Sequence, residues 1–279
     1  MKSFFSLLSL FFCLNLLNAQ EVGLMTYNIR MATESDGADA WSKRKEFLAD
    51  QVLFYAPDVM GVQEALPEQM DYLTNNLTGY KHVGVGREGK NKGEFSAIFY
   101  NASTVKELDQ DTFWLSETPE KISTGWDAAL PRICTYALFK DKKSGEKFYV
   151  FNTHFDHVGI EARKNAAALI LKKINELNTK NYPAFVMGDL NLEPDSTPIA
   201  VLKTELDDTF ELAPNGSFGP TGTFNGFKFN EPVTKRIDYI FQKKTNSSKV
   251  LKHATLSDSK DLHYASDHLP VYALIDLKP

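Results

Sequence analysis

Two hydrophobic rhythms divide the chain. Short runs rich in Val, Ile, Phe and Tyr predict strands: "VGLMTYNIR", "DVMGVQEA", "FSAIFY", "ICTYALFK", "KFYVFNTHF", "YPAFVMGDLN", "RIDYIFQ" and "PVYALIDL". Between them, apolar residues three to four positions apart predict helices. In "WSKRKEFLADQVLFYAP", Trp41, Leu48, Val52 and Tyr55 form one face before Pro57 stops the run. "LPEQMDYLTNNL" places Met70, Leu73 and Leu77 behind Pro67, a residue suited to the first helical turn, and "EARKNAAALILKKINEL" aligns Ala166, Ile170, Ile174 and Leu177. These faces are read as core packing. Two Gly-rich stretches, 86–95 ("GREGKNKGEF") and 214–232 ("PNGSFGPTGTFNGFKFNEP"), predict long surface loops of the kind that border binding sites. No low-complexity segment or charge block interrupts the pattern, so residues 20–279 are expected to form one domain.

The N-terminus breaks both rhythms. Lys2 precedes a largely apolar stretch from Phe4 to Leu17, followed by Asn18, Ala19 and Gln20. That stretch is too short for a mature membrane span and has the layout of a secretory signal. Residues 1–19 are therefore expected to be removed after Ala19, although Leu17 fits the cleavage pattern poorly, and the product to be periplasmic or extracellular with no stable membrane insertion. An uncleaved anchor is the alternative. Cys13 follows Phe11 and Phe12, which argues against a lipidated cysteine, and its loss with the signal leaves Cys134 alone. A lone cysteine forms no intramolecular disulfide, so stability is expected from a packed core. The mature chain keeps 30 basic and 36 acidic side chains, a net charge of −6. That balance disfavours a grip on duplex nucleic acid and favours a small phosphorylated substrate, a nucleotide or a lipid headgroup. A monomer is expected.

Polar residues recur where the predicted strands end. Asn28 closes the first strand, Glu64 the second, His154 and Asp189 two later ones, Asp238 lies within "RIDYIFQ", and Asp267 and His268 precede the last strand. One such ending is a turn; a set of them predicts a shared rim, since ligands of layered α/β folds sit at strand ends. Hard oxygen donors without a cysteine or histidine cluster suit Mg²⁺, with Mn²⁺ as the alternative. Imidazoles and the Asn191 amide beside such an ion suit phosphate.

The motifs "TYNIR", "GVQEA", "NTHFDH", "GDLN", "RIDYIF" and "SDHLPV", in this order, resemble those of the endonuclease/exonuclease/phosphatase (DNase-like) superfamily. "GEFSAIFY", "TFWLSETP" and "WDAALPRICTYALF" further resemble an exported bacterial branch related to deadenylase-like members. The resemblance implies a four-layer α/β/β/α sandwich of two packed mixed sheets. It also implies a metal-dependent phosphoesterase attacking a phosphodiester or phosphomonoester in line with water. Glu64 would be the principal metal ligand, with Asn28 and Asp267 beside the ion. Asp189 would position or deprotonate the water, Asn191 would donate to the phosphate, and His268, oriented by Asp238, would contact the phosphate or act as base. His154 would donate to a phosphate oxygen or assist the leaving group.

Some positions keep two readings. Asp238 could instead pair with Arg236. Arg132 is either a phosphate fork or half of an ion pair, and His157 either touches substrate or is a solvated loop residue. Arg30 stands where many AP endonucleases carry an acid, and either pairs with a site carboxylate or lies on the surface. Trp114 and Trp126 are read as core or rim packing, with stacking on a base or sugar as the alternative, and His263 and Tyr264 as lining the same mouth. An exported nuclease is the nearest alternative function. A catalytically inactive phospho-ligand binding module is the alternative of another class. A sphingomyelinase-like activity would need an exposed aromatic hairpin, for which 214–232, with Phe218, Phe224, Phe227 and Phe229, is the stretch to inspect.

Overall fold

The computed structural model describes residues 21–244 and 248–277; the expected signal, residues 1–19, lies outside them. The first half of the chain runs β1 (Glu21–Asn28), α1 (Trp41–Tyr55), β2 (Val59–Gln63), α2 (Pro67–Asn76), β3 (Tyr80–Val83), β4 (Ile98–Asn101), β5 (Val105–Trp114), β6 (Ile133–Asp141) and β7 (Lys147–His154). It continues with α3 (Ile160–Leu177), β8 (Ala184–Asp189), α4 (Thr197–Leu202), β9 (Leu206–Asp208), α5 (Thr209–Leu212), β10 (Asp238–Lys243) and β11 (Lys249–Thr255). A short hairpin of β12 (Ser259–Lys260) and β13 (His263–Tyr264) precedes β14 (Val271–Asp276). One sheet has the order β11-β14-β1-β2-β4-β3 and the other β5-β6-β7-β8-β10-β9. Each is mixed, with one central parallel pair, β1 with β2 and β7 with β8.

The sheets pack face to face with helices outside, the four-layer DNase-like sandwich. Strand periodicity dictates this arrangement, because successive side chains point to opposite faces. In β1, Val22 and Leu24 enter the layer between the sheets, while Met25 and Tyr27 meet α1 and α2 through Leu48, Val52, Met70 and Leu73. In the second sheet, Phe148, Val150, Phe185 and Met187 face inward, while Tyr149, Phe151 and Val186 pack against Ala166, Ile170 and Ile174 of α3. Burial on both faces is why these strands read as continuous apolar runs. Cys134 is buried, with its thiol pushed well up by desolvation. Among the described residues no helix is long and apolar enough to cross a membrane.

One polar cluster bridges the sheets inside this apolar layer. Asn152 donates to Val62 O and Ala97 O at 2.9 and 2.8 Å, and accepts from Gln63 Nε2 at 2.6 Å. Gln63 also donates to Thr26 Oγ1 at 3.0 Å. Gly61 makes room for it, since a Cβ there would lie 2.5 Å from the Asn152 amide.

Candidate active site

The same parity that fills the core builds the site. Asn28 follows Val22 and Leu24 on the inward face, His154 follows Phe148 and Val150, Asp189 follows Phe185 and Met187, and Asp238 shares its face with Ile240. Where the strands end, the inward positions change from apolar to polar, and both sheets contribute to one cleft of about 430 Å³. Three residues just beyond strand ends, Arg30, Glu64 and Asn191, hold φ of 54°, 62° and 51°. Such left-handed non-glycine residues are uncommon and cluster at functional sites.

Asp189, buried, is the hub. Its Oδ2 accepts from Asn28 Nδ2 at 2.9 Å and lies 3.5 Å from His154 Nε2 and 3.8 Å from His268 Nε2; its Oδ1 accepts from Asn191 N at 2.8 Å. Asn28 Nδ2 also donates to Glu64 Oε1 at 3.0 Å, and Met31 N donates to Glu64 Oε2 at 3.0 Å. The Asn28 amide nitrogen thus ties two carboxylates together, and its Oδ1 accepts from Arg30 N at 3.0 Å. Asp238 Oδ2 lies 2.8 Å from His268 Nδ1, and Phe224 packs edge-on to the His268 ring at 5.1 Å. Asn191 Nδ2 reaches His154 Nε2 at 3.0 Å and Phe155 O at 3.1 Å.

The charges are set by burial and by each other. Desolvation, then the neighbouring Asp238, push the Asp189 carboxyl up to about 7. Desolvation also raises Asp267, with Glu64 adding to it. Burial and then Arg132 hold His154 well below its ordinary value, so its ring is neutral. Burial alone would lower His268, but Asp238 and then Asp189 outweigh it and raise it well above the ordinary value.

Several buried carboxylates crowding one cleft call for a cation, and hard oxygen donors suit a divalent one. Two groups of side chains bring ligand atoms within 4.8 Å of one another among the described residues: Glu64, His154 and Asp189, and Asp189, Asp238 and His268. The Asp238 Oδ1 atom is buried without a hydrogen-bond partner. Asp267 belongs to neither group, but lines the same cleft as Glu64.

Arg236 pairs with Asp208 at 2.7 Å, which leaves Asp238 to His268. Arg132 lines the cleft and is also an ion-pair partner, its Nε 3.3 Å from Asp156 Oδ1 and its Nη2 3.1 Å from His157 Nδ1. Arg30 is not a free surface residue: it pairs with Asp36 at 3.0 Å and approaches Asp267 at 3.9 Å. His263 and Tyr264 do not line this mouth. They border a neighbouring pocket with Lys43, Arg44 and Lys260, where the ion pair of His263 with Asp39 at 2.7 Å holds the β12–β13 hairpin. Of the four phenylalanines in 214–232, only Phe218 is a large exposed hydrophobic; Phe227 lies by Arg44 and Phe229 against Tyr264. Arg87, Glu94, Phe224 and Lys235 also line the cleft. Arg87 and Glu94 lie in the expected loop 86–95 and Phe224 is one of the phenylalanines noted in 214–232, whereas nothing in the sequence singles out Arg87, Glu94 or Lys235.

The family model for the endonuclease/exonuclease/phosphatase family matches residues 25–268, which span every residue of this cleft. The chain belongs to that family. It is a metal-dependent hydrolase of phosphoester bonds. Among solved structures of the family, a mannosyl-6-phosphatase from Bacteroides thetaiotaomicron is 37% identical, with a TM-score of 0.86 over 91% of this chain and 99% of that one. An endonuclease/exonuclease/phosphatase family protein from the same organism is 36% identical, with a TM-score of 0.87 over 91% and 97%. A probable RNA exonuclease of Schizosaccharomyces pombe is 25% identical over 91% of this chain, which spans 55% of that protein.

Proposed function

We propose that this family member is an exported, Mg²⁺-dependent phosphoesterase acting on a small phosphate ester, a phosphorylated sugar foremost. The observation that carries the reading is the cleft: about 430 Å³, bordered by Arg30, Arg87, Arg132, Lys235 and three histidines above buried carboxylates. That volume holds one phosphorylated small molecule. The net charge and the 37% identical mannosyl-6-phosphatase support the same substrate class.

Glu64 and Asp267 would hold the cation, with Asn28 bracing Glu64 from behind. Bound there, a divalent ion supplies Lewis-acid neutralisation of the phosphate's charge. Asp189, poised near neutrality and fixed on two sides by amide donors, orients a water for in-line attack and takes its proton. His268, kept protonated by Asp238, donates to a phosphoryl oxygen as negative charge gathers there. Asn191 and the neutral His154 border the same space and face the phosphate.

A nuclease reading has one observation in its favour, the similarity to a named RNA exonuclease. A panel separates the two: kcat/KM for hexose phosphates, nucleotides, phospholipid headgroups, single-stranded RNA and duplex DNA. Preference for sugar phosphates is the expected result, and preference for either polynucleotide would reject it. Export predicts a mature chain beginning at Gln20, read by mass spectrometry of the secreted protein; an intact Met1 would contradict it.

A further inference from the structure

The loop between β3 and β4 forms a cleft wall that the phosphate chemistry does not use. It is a pinned hairpin. Gly86 N donates to Lys90 O at 2.7 Å, Arg87 N to Glu94 O at 2.9 Å and Glu88 N to Lys92 O at 3.1 Å. A Cβ on Gly86 would stand 2.1 Å from Lys92 O, so only glycine closes this turn without a shift. At the base, Phe95 N donates to Ala65 O at 2.8 Å, one residue from Glu64. Trp114 Nε1 donates to Arg87 O at 2.8 Å. Both backbone polar groups of Arg87 are therefore engaged, and its side chain, 12% exposed, is fixed on the cleft wall.

The guanidinium is only partly satisfied. Its Nη1 lies 2.9 Å from Glu94 Oε2 and is paired with it by charge, but neither the buried Nη1 nor the buried Nε has a hydrogen-bond partner. Buried donors are nearly always paired, so a cleft-lining guanidinium left short of acceptors has hydrogen-bonding capacity to spare for a ligand. Arg132 lines the same wall with Asp156 and His157 as its partners. Charge decides what kind of ligand group fits. Each of these two arginines is matched by a carboxylate, Glu94 or Asp156, so the pairs offer little surplus positive charge to a second phosphate. They do offer fixed donors and acceptors side by side, and hydroxyl groups both donate and accept.

We infer that Arg87, held by Glu94, is a specificity-determining residue that hydrogen-bonds hydroxyls of the leaving group, which is accordingly a polyol. The inference rests on the phosphoesterase reading and names the part of the substrate beyond the phosphate.

The test compares a hexose 6-phosphate with p-nitrophenyl phosphate, which share the phosphate and differ in the leaving group. Wild type, Arg87→Met, Arg87→Lys and Glu94→Gln are assayed for kcat and KM after circular dichroism has established their folding. Arg87→Met is expected to lower kcat/KM on the hexose phosphate by on the order of 10- to 100-fold more than on p-nitrophenyl phosphate, mainly through KM. Arg87→Lys should recover part of that difference, and Glu94→Gln should lose part of it. If Arg87→Met does not fold, the other two variants carry the comparison. Equal losses on both substrates, or no loss on either, would overturn the inference while leaving the phosphoesterase reading intact. Wild type that cleaves p-nitrophenyl phosphate but not the hexose phosphate would do the same. Wild type that cleaves neither would overturn both.

Discussion

Asp189 carries the tension of the site in one carboxyl: it is buried beside Asp238, and its carboxyl is pushed up to about 7. A buried acid whose charge is raised in energy by its neighbours serves activity and works against stability. Asp189→Asn is therefore expected to lower kcat by about 10²- to 10⁴-fold without lowering the urea midpoint. A parallel fall in both would mean that the side chain is mainly structural. His253, remote from the cleft, gives a pH signature. Burial, then Arg236, lower it from 6.5 to about 4, with Ser217 Oγ 2.7 Å from its Nδ1. A histidine with a depressed folded-state value stabilises the fold above 6.5, and that stability is lost as pH falls towards 4. The loss is on the order of 3 kcal/mol. His253→Gln should flatten the urea midpoint between pH 6.5 and 4, and an unchanged slope would contradict this assignment. Residues with motif neighbours, such as His154, Asp189 and His268, were legible in the sequence. Arg87 and Asn152 were not, because their importance depends on what they meet across the fold: Arg87 its loop partner and the cleft, Asn152 the opposite sheet.

The strands found and missed by sequence reading separate by position in the sheets. All eight expected strands are present. Those missed in the two six-stranded sheets, β3, β5, β9 and β11, are the four edges of those sheets. An edge strand has a wet flank, so its residues need not be apolar; β5 exposes most of "KELDQD" and β11 alternates irregularly around a register shift. Central strands, buried on both faces, announce themselves. Polar residues recurring at the ends of these central strands made the site legible, and the structure shows that Asn28, His154, Asp189 and Asp238 continue the inward faces of their strands. Gly188 shows how tightly the central pair is built. Its φ is +146°, and an added Cβ would lie 1.9 Å from Thr153 O across the β7–β8 pair that carries His154 and Asp189. Gly188→Ala is expected to destabilise by about 3–5 kcal/mol in urea unfolding, from strain and overpacking together. A loss below about 1 kcal/mol would show that the sheet yields at this point.

At the scale of the molecule, two sheets whose strands keep a regular inward and outward alternation meet in one polar seam, and the loops around it decide what enters. The fold and the reaction class followed from ordered motifs. The shape of the entrance did not, because the loops 86–95 and 214–232 are specified by contacts such as Trp114 with Arg87 and Phe224 with His268. The chain is acidic overall, and the three arginines at the cleft are each matched by a carboxylate, an arrangement that suits a compact phosphorylated substrate better than a long polyanion. The central claim is that these carboxylates and imidazoles hydrolyse a phosphate ester with a divalent ion held at Glu64. The most direct measurement is phosphate release from a hexose 6-phosphate by the mature protein with Mg²⁺, after EDTA, after Mg²⁺ is restored, and with Glu64→Ala. Activity that vanishes with EDTA, returns with Mg²⁺ and falls at least 100-fold in Glu64→Ala is the predicted result. Phosphate release that persists through EDTA, or that Glu64→Ala leaves intact, would contradict it.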